Sequence, residues 1–246
     1  MDVSSYVLLS HEQALRRRLD VTSNNMANSS TAGFKREQPV FHDYVENGAD
    51  TTVAGADRTA YVLDYGATHD SSAGTFTATS NPLDVMIDGP GYLSVEAPDG
   101  SVAYTRAGYL KLSQAGDLVT ANGQRVLDDG GRPINVPPEE VGELSISADG
   151  SVMGRQGALG RLSVTVFDEA GIVPRGDGLM AGSNGTVLTA AETKLKSGGV
   201  EASNVQPIAE TTAMVEILRA YQSSQKVMDS LNDMRTRALD RLSRSN

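Results

Sequence analysis

The chain has 246 residues, 39% of them hydrophobic and 5% aromatic, which is enough to bury one or two cores. Its formal charge of −10 speaks against a nucleic-acid binder, whose phosphate contacts need a basic face. The absence of cysteine excludes disulfides, thiolate nucleophiles and cysteine-ligated metals, and no run approaches the ~20 apolar residues of a membrane-spanning helix.

The first element in chain order is a helix. From Val3 to Met26 apolar residues keep a helical rhythm, with Val7, Ala14 and Val21 seven apart and Leu8 and Leu15 beside them. Arg16, Arg17 and Arg18 read as a solvated face, and neither glycine nor proline occurs before Gly33. The opening lacks a leading positive region, a long apolar run and a small-residue cleavage site, so a standard secretory precursor is not expected.

The helix runs into SNNMANSSTAGFK, residues 23–35, where asparagine and glycine crowd together. An ordinary helix stop needs one such residue, because Asn and Gly tolerate the left-handed cap conformation. The surplus amides at Asn24, Asn25 and Asn28 are suited to bond neighbouring backbone where helices crowd.

Residues 36–80 are rich in Thr, Ala, Asp and Gly, with scattered aromatics at Phe41, Tyr44, Tyr61, Tyr65 and Phe76. They read as extended chain and short strands, a β linker into the body. From 81 to 199 short apolar stretches alternate with turn dipeptides such as Asp99-Gly100, Asn122-Gly123 and Asp149-Gly150. Regular turns without crossover helices predict an antiparallel sandwich or irregular barrel and exclude a Rossmann-like sheet.

Helix returns at Pro207, with no further glycine or proline. Met214, Leu218, Tyr221, Gln225 and Met228 form one stripe, and Ile217, Ala220, Ser224, Val227, Leu231 and Met234 a second beside it. Two adjacent stripes predict neighbours on two sides, and such a helix is expected to fold only on assembly. Charge follows the same division: residues 1–38 and 205–246 each sum to +1, whereas 39–204 sum to −12. An acidic body between near-neutral ends suggests termini that meet something else.

Catalytic chemistry finds little support. His11, His42 and His69 have no metal-ligand spacing. Asp128 and Asp129 sit in a glycine-rich turn, and Gly89 and Gly91 lack the strand-turn-helix context of a dinucleotide site. No catalytic, cofactor-binding or metal-binding residue is identified.

Five segments instead resemble the bacterial flagellar rod and hook protein family. Asn25-Met26-Ala27-Asn28 with Thr31, Gly33, Phe34 and Lys35 looks like its N-terminal signature. Asn81-Pro82-Leu83-Asp84-Val85 through Tyr92, Ala103-Tyr104-Thr105-Arg106-Ala107-Gly108 and Gly199-Val200-Glu201-Ala202-Ser203-Asn204-Val205 resemble its central and late motifs, and Ile217–Tyr221 resembles part of its C-terminal helix. In order, these span nearly the whole chain. Val200, Gln222 and Tyr92 depart from the usual leucine, glutamate and phenylalanine.

The resemblance implies a mixed α and β fold, with long coiled-coil-like terminal helices flanking the central all-β domain. The expected parts are residues 1–35 and 200–246 as an axial domain, 36–80 as linker and 81–199 as outer domain. It implies a non-enzymatic structural subunit of the basal-body rod, proximal by its length and opening residues, with the distal rod as the alternative. Its partners would be other rod proteins, copies of itself and the flagellar type III export apparatus, with no nucleic acid, membrane insertion or cofactor. It would reside in the periplasmic rod, exported without a cleaved signal peptide. The packing residues expected are Val7, Ala14, Val21, Met26, Met214, Leu218, Tyr221 and Met228, with Asn24, Asn25, Asn28, Gly33 and Phe34 at the helix exit. The rivals from other classes are a secreted β-domain hydrolase of peptidoglycan, which would need a carboxylate pair in a cleft, and a binding module, which would need an aromatic platform.

Overall fold

The computed structural model describes residues 3–47, 58–168, 171–176 and 178–244. The chain divides into two compact units, one of Met1–Ala27, Arg36–Asp70 and Val205–Asn246, the other of Asn28–Lys35 and Ser71–Asn204.

The first unit contains both long helices, α1 (Val3–Ala27) and α2 (Pro207–Arg244), and two strands, β1 (Glu37–Asn47) and β2 (Arg58–His69). Pro207 opens α2 at a position where its missing N–H costs nothing. β1 and β2 pair antiparallel from Glu37 opposite His69 to Asn47 opposite Arg58, with one register shift between Val40 and Phe41. Sequence reading predicts only short strands here. The longer ladder forms because β-branched and aromatic residues meet across it, as Tyr44 does opposite Tyr61. α1 packs against both strands and against α2. Arg17 on α1 pairs with Asp64 on β2 at 3.3 Å, and Arg235 of α2 donates to the Ser5 hydroxyl of α1 at 2.9 Å. The start of α1 therefore lies against the late part of α2.

The second unit is built of short strands. In chain order they are β3 (Phe76–Ala78), β4 (Val85–Ile87), β5 (Tyr92–Glu96), β6 (Val102–Thr105), β7 (Leu110–Leu112), β8 (Leu118–Thr120) and β9 (Arg125–Val126). There follow β10 (Ser145–Ile146), β11 (Ser151–Gly154), β12 (Gly157–Arg161), β13 (Val164–Val166) and β14 (Ile172–Gly176). The last are β15 (Leu179–Gly182), β16 (Thr186–Val187), β17 (Leu195–Ser197) and β18 (Gly199–Glu201). The main sheet runs β14-β15-β6-β5-β9-β8-β7, and β13 bridges β5 to β16. The named pairings are all antiparallel. Predicted turn dipeptides join adjacent strands, as Asp99-Gly100 joins β5 to β6 and Asn122-Gly123 joins β8 to β9.

The core of this unit gathers Val85, Leu93, Val95, Leu118, Val126, Val152 and Leu162, each no more than 1% exposed. Each such side chain contributes about 1.5–3 kcal/mol by leaving water. Strands β17 and β18 return to pair with β4 and β3. The last part of the unit thereby closes on its first, through pairings more than 100 residues apart in the chain.

Candidate assembly and helix-exit site

In the helical unit, Leu15 and Val21 on α1 and Ile217 and Ser224 on α2 are buried. Val7, Ala14, Met26, Met214, Tyr221 and Met228 are half-buried around them. Glu210, Ile217 and Ser224 lie seven residues apart, so the buried line on α2 includes the edge of the second predicted stripe that adjoins the first. The outer margins stay open: Leu218 is 43% exposed on one side, Val227 48% and Met234 55% on the other. Sequence reasoning placed Leu218 among the packing residues. In the single chain it borders the helix contact and does not enter it.

The asparagines separate sharply by environment. Asn24 is exposed and Asn28 half-buried, but Asn25 is 1% exposed. Its amide donates to the Glu37 carbonyl at 2.9 Å and its carbonyl accepts the Glu37 N–H at 2.8 Å. One side chain thus pairs with the backbone of β1 as a neighbouring strand would, fixing where the ladder begins relative to α1. Glu37 also lies 3.6 Å from His69 at the base of the ladder. Its carboxyl is held below the ordinary value by the His69 hydrogen bond, with burial opposing and the His69 and Arg17 charges adding.

Asn28, Gly33 and Phe34 belong to the β unit. The Thr31 N–H donates to the Asn28 carbonyl at 3.1 Å, turning the chain after the helix. Gly33 has φ of +71°, and a Cβ there would lie 2.4 Å from the Arg106 backbone, so the position admits only glycine. Its N–H donates to the Glu201 carbonyl at 2.8 Å, while the half-buried Phe34 accepts the Asn204 N–H at 3.4 Å through its own carbonyl.

Beside this exit lies a buried ionic cluster. Glu201 is 1% exposed, Lys35 6% and Arg106 8%. The Lys35 ammonium donates to Glu201 Oε1 at 2.6 Å, and Arg106 Nη1 donates to Oε2 at 2.8 Å. Gly74 N–H adds a third bond to Oε1 at 2.8 Å. Arg106 also holds the 88–91 turn through the carbonyls of Gly91 (2.8 Å) and Gly89, with its guanidinium 5.6 Å from the Tyr92 ring centroid. Burial works to raise the Glu201 pKa, but Lys35 and Arg106 outweigh it and hold the carboxyl below its ordinary value. Tyr92 is pushed up, chiefly by burial. A second network centres on Asp84, 3% exposed, which accepts from the Thr79 hydroxyl (2.6 Å), the Asn81 amide (2.9 Å) and the Leu110 N–H (3.3 Å).

Sequence reasoning missed Lys35, Arg106 and Glu201 as a set, although each lay in a quoted motif. The available signal was a charged residue inside a largely small and apolar motif, as in AYTRAG and GVEASN. Arginine pairing accounts for the acidic turn: Asp128 pairs with Arg132 at 3.2 Å and Asp129 with Arg161. Among the described residues no group of three or more His, Asp or Glu side chains could hold a metal ion, and no helix is long and apolar enough to cross a membrane.

Comparison with known proteins adds three family matches. Residues 6–35 match the flagella basal body rod protein family, 86–154 the flagellar hook protein FlgE/F/G D1 domain, and 196–241 the flagellar basal body rod FlgEFG protein C-terminal family. The chain is 36% identical to the flagellar basal-body rod protein FlgF of Caulobacter vibrioides, over 100% of both chains. It is 32% identical to FlgF of Mesorhizobium japonicum, covering 93% of this chain and 92% of the relative. It is also 32% identical to the rod protein FlgG of Buchnera aphidicola, covering 88% and 90%.

Proposed function

Because the chain belongs to the flagellar basal-body rod protein family and is a structural subunit of that rod, we propose that it builds the proximal rod through its terminal helices. Copies and other rod proteins pack their α1 and α2 helices into an inner, coiled-coil-like tube within the periplasmic basal body. The β unit forms the outer part. The subunits leave the cytoplasm through the flagellar type III export apparatus.

The observation that carries this reading is the pair of open apolar margins on α2. Leu218 on one side and Val227 and Met234 on the other are about half exposed although the line between them is covered. Covering the exposed half of each such residue by a neighbour would contribute roughly 0.7–1.5 kcal/mol, and contacts that repeat head-to-tail without closing make a helical filament. Met214, Tyr221 and Met228 with Val7, Ala14, Val21 and Met26 would complete the packed helices, and Asn24, Asn25, Asn28, Gly33 and Phe34 the helix exit.

The test is Leu218→Asp in a motile strain. The expected result is a soluble subunit with an intact β unit, and basal bodies that stop short of a complete rod. Normal motility with that substitution sinks the proposed contact. The similarity to FlgG keeps the distal rod as a second reading. Complementation separates the two: the chain should restore rods in a strain lacking FlgF and not in one lacking FlgG.

A further inference from the structure

One face of the β1–β2 ladder is left open. α1 packs on the other, where Arg17 reaches Asp64 at 3.3 Å, Phe41 stands opposite Asp64, and Asp43 opposite Val62. Period-two alternation turns the residues between these the opposite way. There His42 stands opposite Leu63 and Tyr44 opposite Tyr61, and the register shift brings Tyr65 to the same side, its ring 4.5 Å from that of His42. Tyr44 is 54% exposed, Leu63 50% and Tyr65 76%. These five side chains carry no charge at pH 7, in a chain whose formal charge is −10. Tyrosine-rich surface depleted of charge is the composition found at the centre of protein interfaces.

α2 carries a surface of matching chemistry within the same unit. Ala220, Ser223, Val227, Ser230 and Met234 follow a 3-4-3-4 spacing along one side and are all uncharged. Ser223, Val227, Ser230 and Met234 are exposed. The small serines leave hollows beside Val227 and Met234 that tyrosine rings can enter, and their hydroxyls can pair the tyrosine hydroxyls, which need a partner once covered. Ser223 to Met234 spans roughly 16 Å of helix, and Tyr61 to Tyr65 roughly 13 Å of ladder. Both surfaces stay open in the single chain, where α1 packs on the ladder and on α2.

We propose that the open ladder face of one copy receives the Ser223–Met234 stripe of α2 from a second copy of this chain. Two copies that are each strongly acidic approach at least electrostatic cost through surfaces without charge. The fit is heterologous, ladder to helix, so a pair still presents one free ladder face and one free stripe to further copies. Area sets its strength. A tyrosine buries about 150–250 Å², so the exposed parts of Tyr44, Leu63 and Tyr65 amount to roughly 400 Å². About 800 Å² over both partners falls short of the ~1,200 Å² of a stable pair, so the contact is weak between two free chains and holds where copies line up in series. The inference rests on the rod reading and gives one margin of α2 its partner.

The chain has no cysteine, so introduced cysteines report the contact. Purified full chains bearing Leu63→Cys are mixed with differently tagged full chains bearing Ser230→Cys, at about 1 mM to offset the weak affinity, and oxidised. The expected product is a mixed disulfide dimer, about tenfold more abundant than that from Asp43→Cys with Ser230→Cys, because Asp43 lies on the side of the ladder that α1 covers. Adding Tyr65→Ala to the first chain, or Val227→Asp to the second, should each lower the mixed product about tenfold. The two changes lie on different elements, so a folding defect in one leaves the other to decide. A Leu63→Cys dimer as abundant as the mixed one means that the face pairs with itself and overturns the proposal. Absence of the mixed dimer, or a yield that ignores both substitutions, assigns the face to another partner and overturns it too. Complete rods in a strain lacking this protein overturn the rod reading and leave the cross-link standing, whereas rods halted by the deletion, with no cross-link, remove this contact alone.

Discussion

Replacing Glu201 by glutamine removes one negative charge and almost no volume. In the native β unit that charge is the shared counter-ion of Lys35 and Arg106, which are only 6% and 8% exposed. Leaving buried charges uncompensated costs about 3–5 kcal/mol, a large share of the roughly 5–15 kcal/mol that holds a domain folded. Amide exchange of Leu93, Val95, Val126 and Val152 in the full chain reads the opening free energy of this unit directly. At about 1.4 kcal/mol per tenfold, Glu201→Gln should accelerate these amides by roughly 10²-fold to a few thousandfold. The control is Asp88→Asn, which breaks a pair with Lys196 of comparable length, 2.9 Å, whose partners are each about half exposed (52% and 49%). Exposed pairs contribute about 0–1 kcal/mol, so this variant should barely change the exchange. The charge also predicts a pH dependence. Because the folded-state pKa of Glu201 lies below its ordinary 4.5, its contribution is present above that value and is lost as pH falls through the folded-state pKa. Glu201→Gln should flatten the acid limb of the stability profile below about pH 4.5. Equal exchange rates in the two variants, or an unchanged acid limb, would refute the assignment of the cluster as a compensated buried charge group.

Gly33→Ala should destabilise the helix exit, because φ of +71° disfavours a side chain and the Arg106 backbone occupies its space. Faster limited proteolysis between residues 28 and 36, with β-core protection retained, is the expected readout. Ser224→Ala should be neutral or stabilising by up to about 1 kcal/mol, since the hydroxyl is buried without a hydrogen-bond partner. Thermal melting followed by the helical circular dichroism signal checks this, and a clear loss of stability would show that the hydroxyl has a partner in solution.

Much of the fold was legible in the chain because its signals are local. Helical spacing and the absence of glycine and proline marked α1 and α2, and Asp-Gly and Asn-Gly turns marked the strands that follow one another. The 37–69 ladder was harder to read, since glycine, threonine and aspartate in that region outvote an aromatic alternation that matters only once two strands pair. The asparagine-rich exit was recognisable as unusual, yet nothing local distinguished Asn25, which bridges to Glu37, from Asn24, which stays exposed.

The amino-acid sequence by itself determined the element types, the antiparallel class of the β body and, through its motifs, the family. These depend on periodicity, turn chemistry and residue identity within short windows. Only the tertiary structure decided which charges are buried and with whom. Lys35 and Glu201 stand 166 residues apart, and Arg36 and Glu210 stand 174 apart. A charged side chain looks solvated in any local window. It becomes an anchoring group only when distant segments close around it, exclude water and bring its hydrogen-bonding partners within reach.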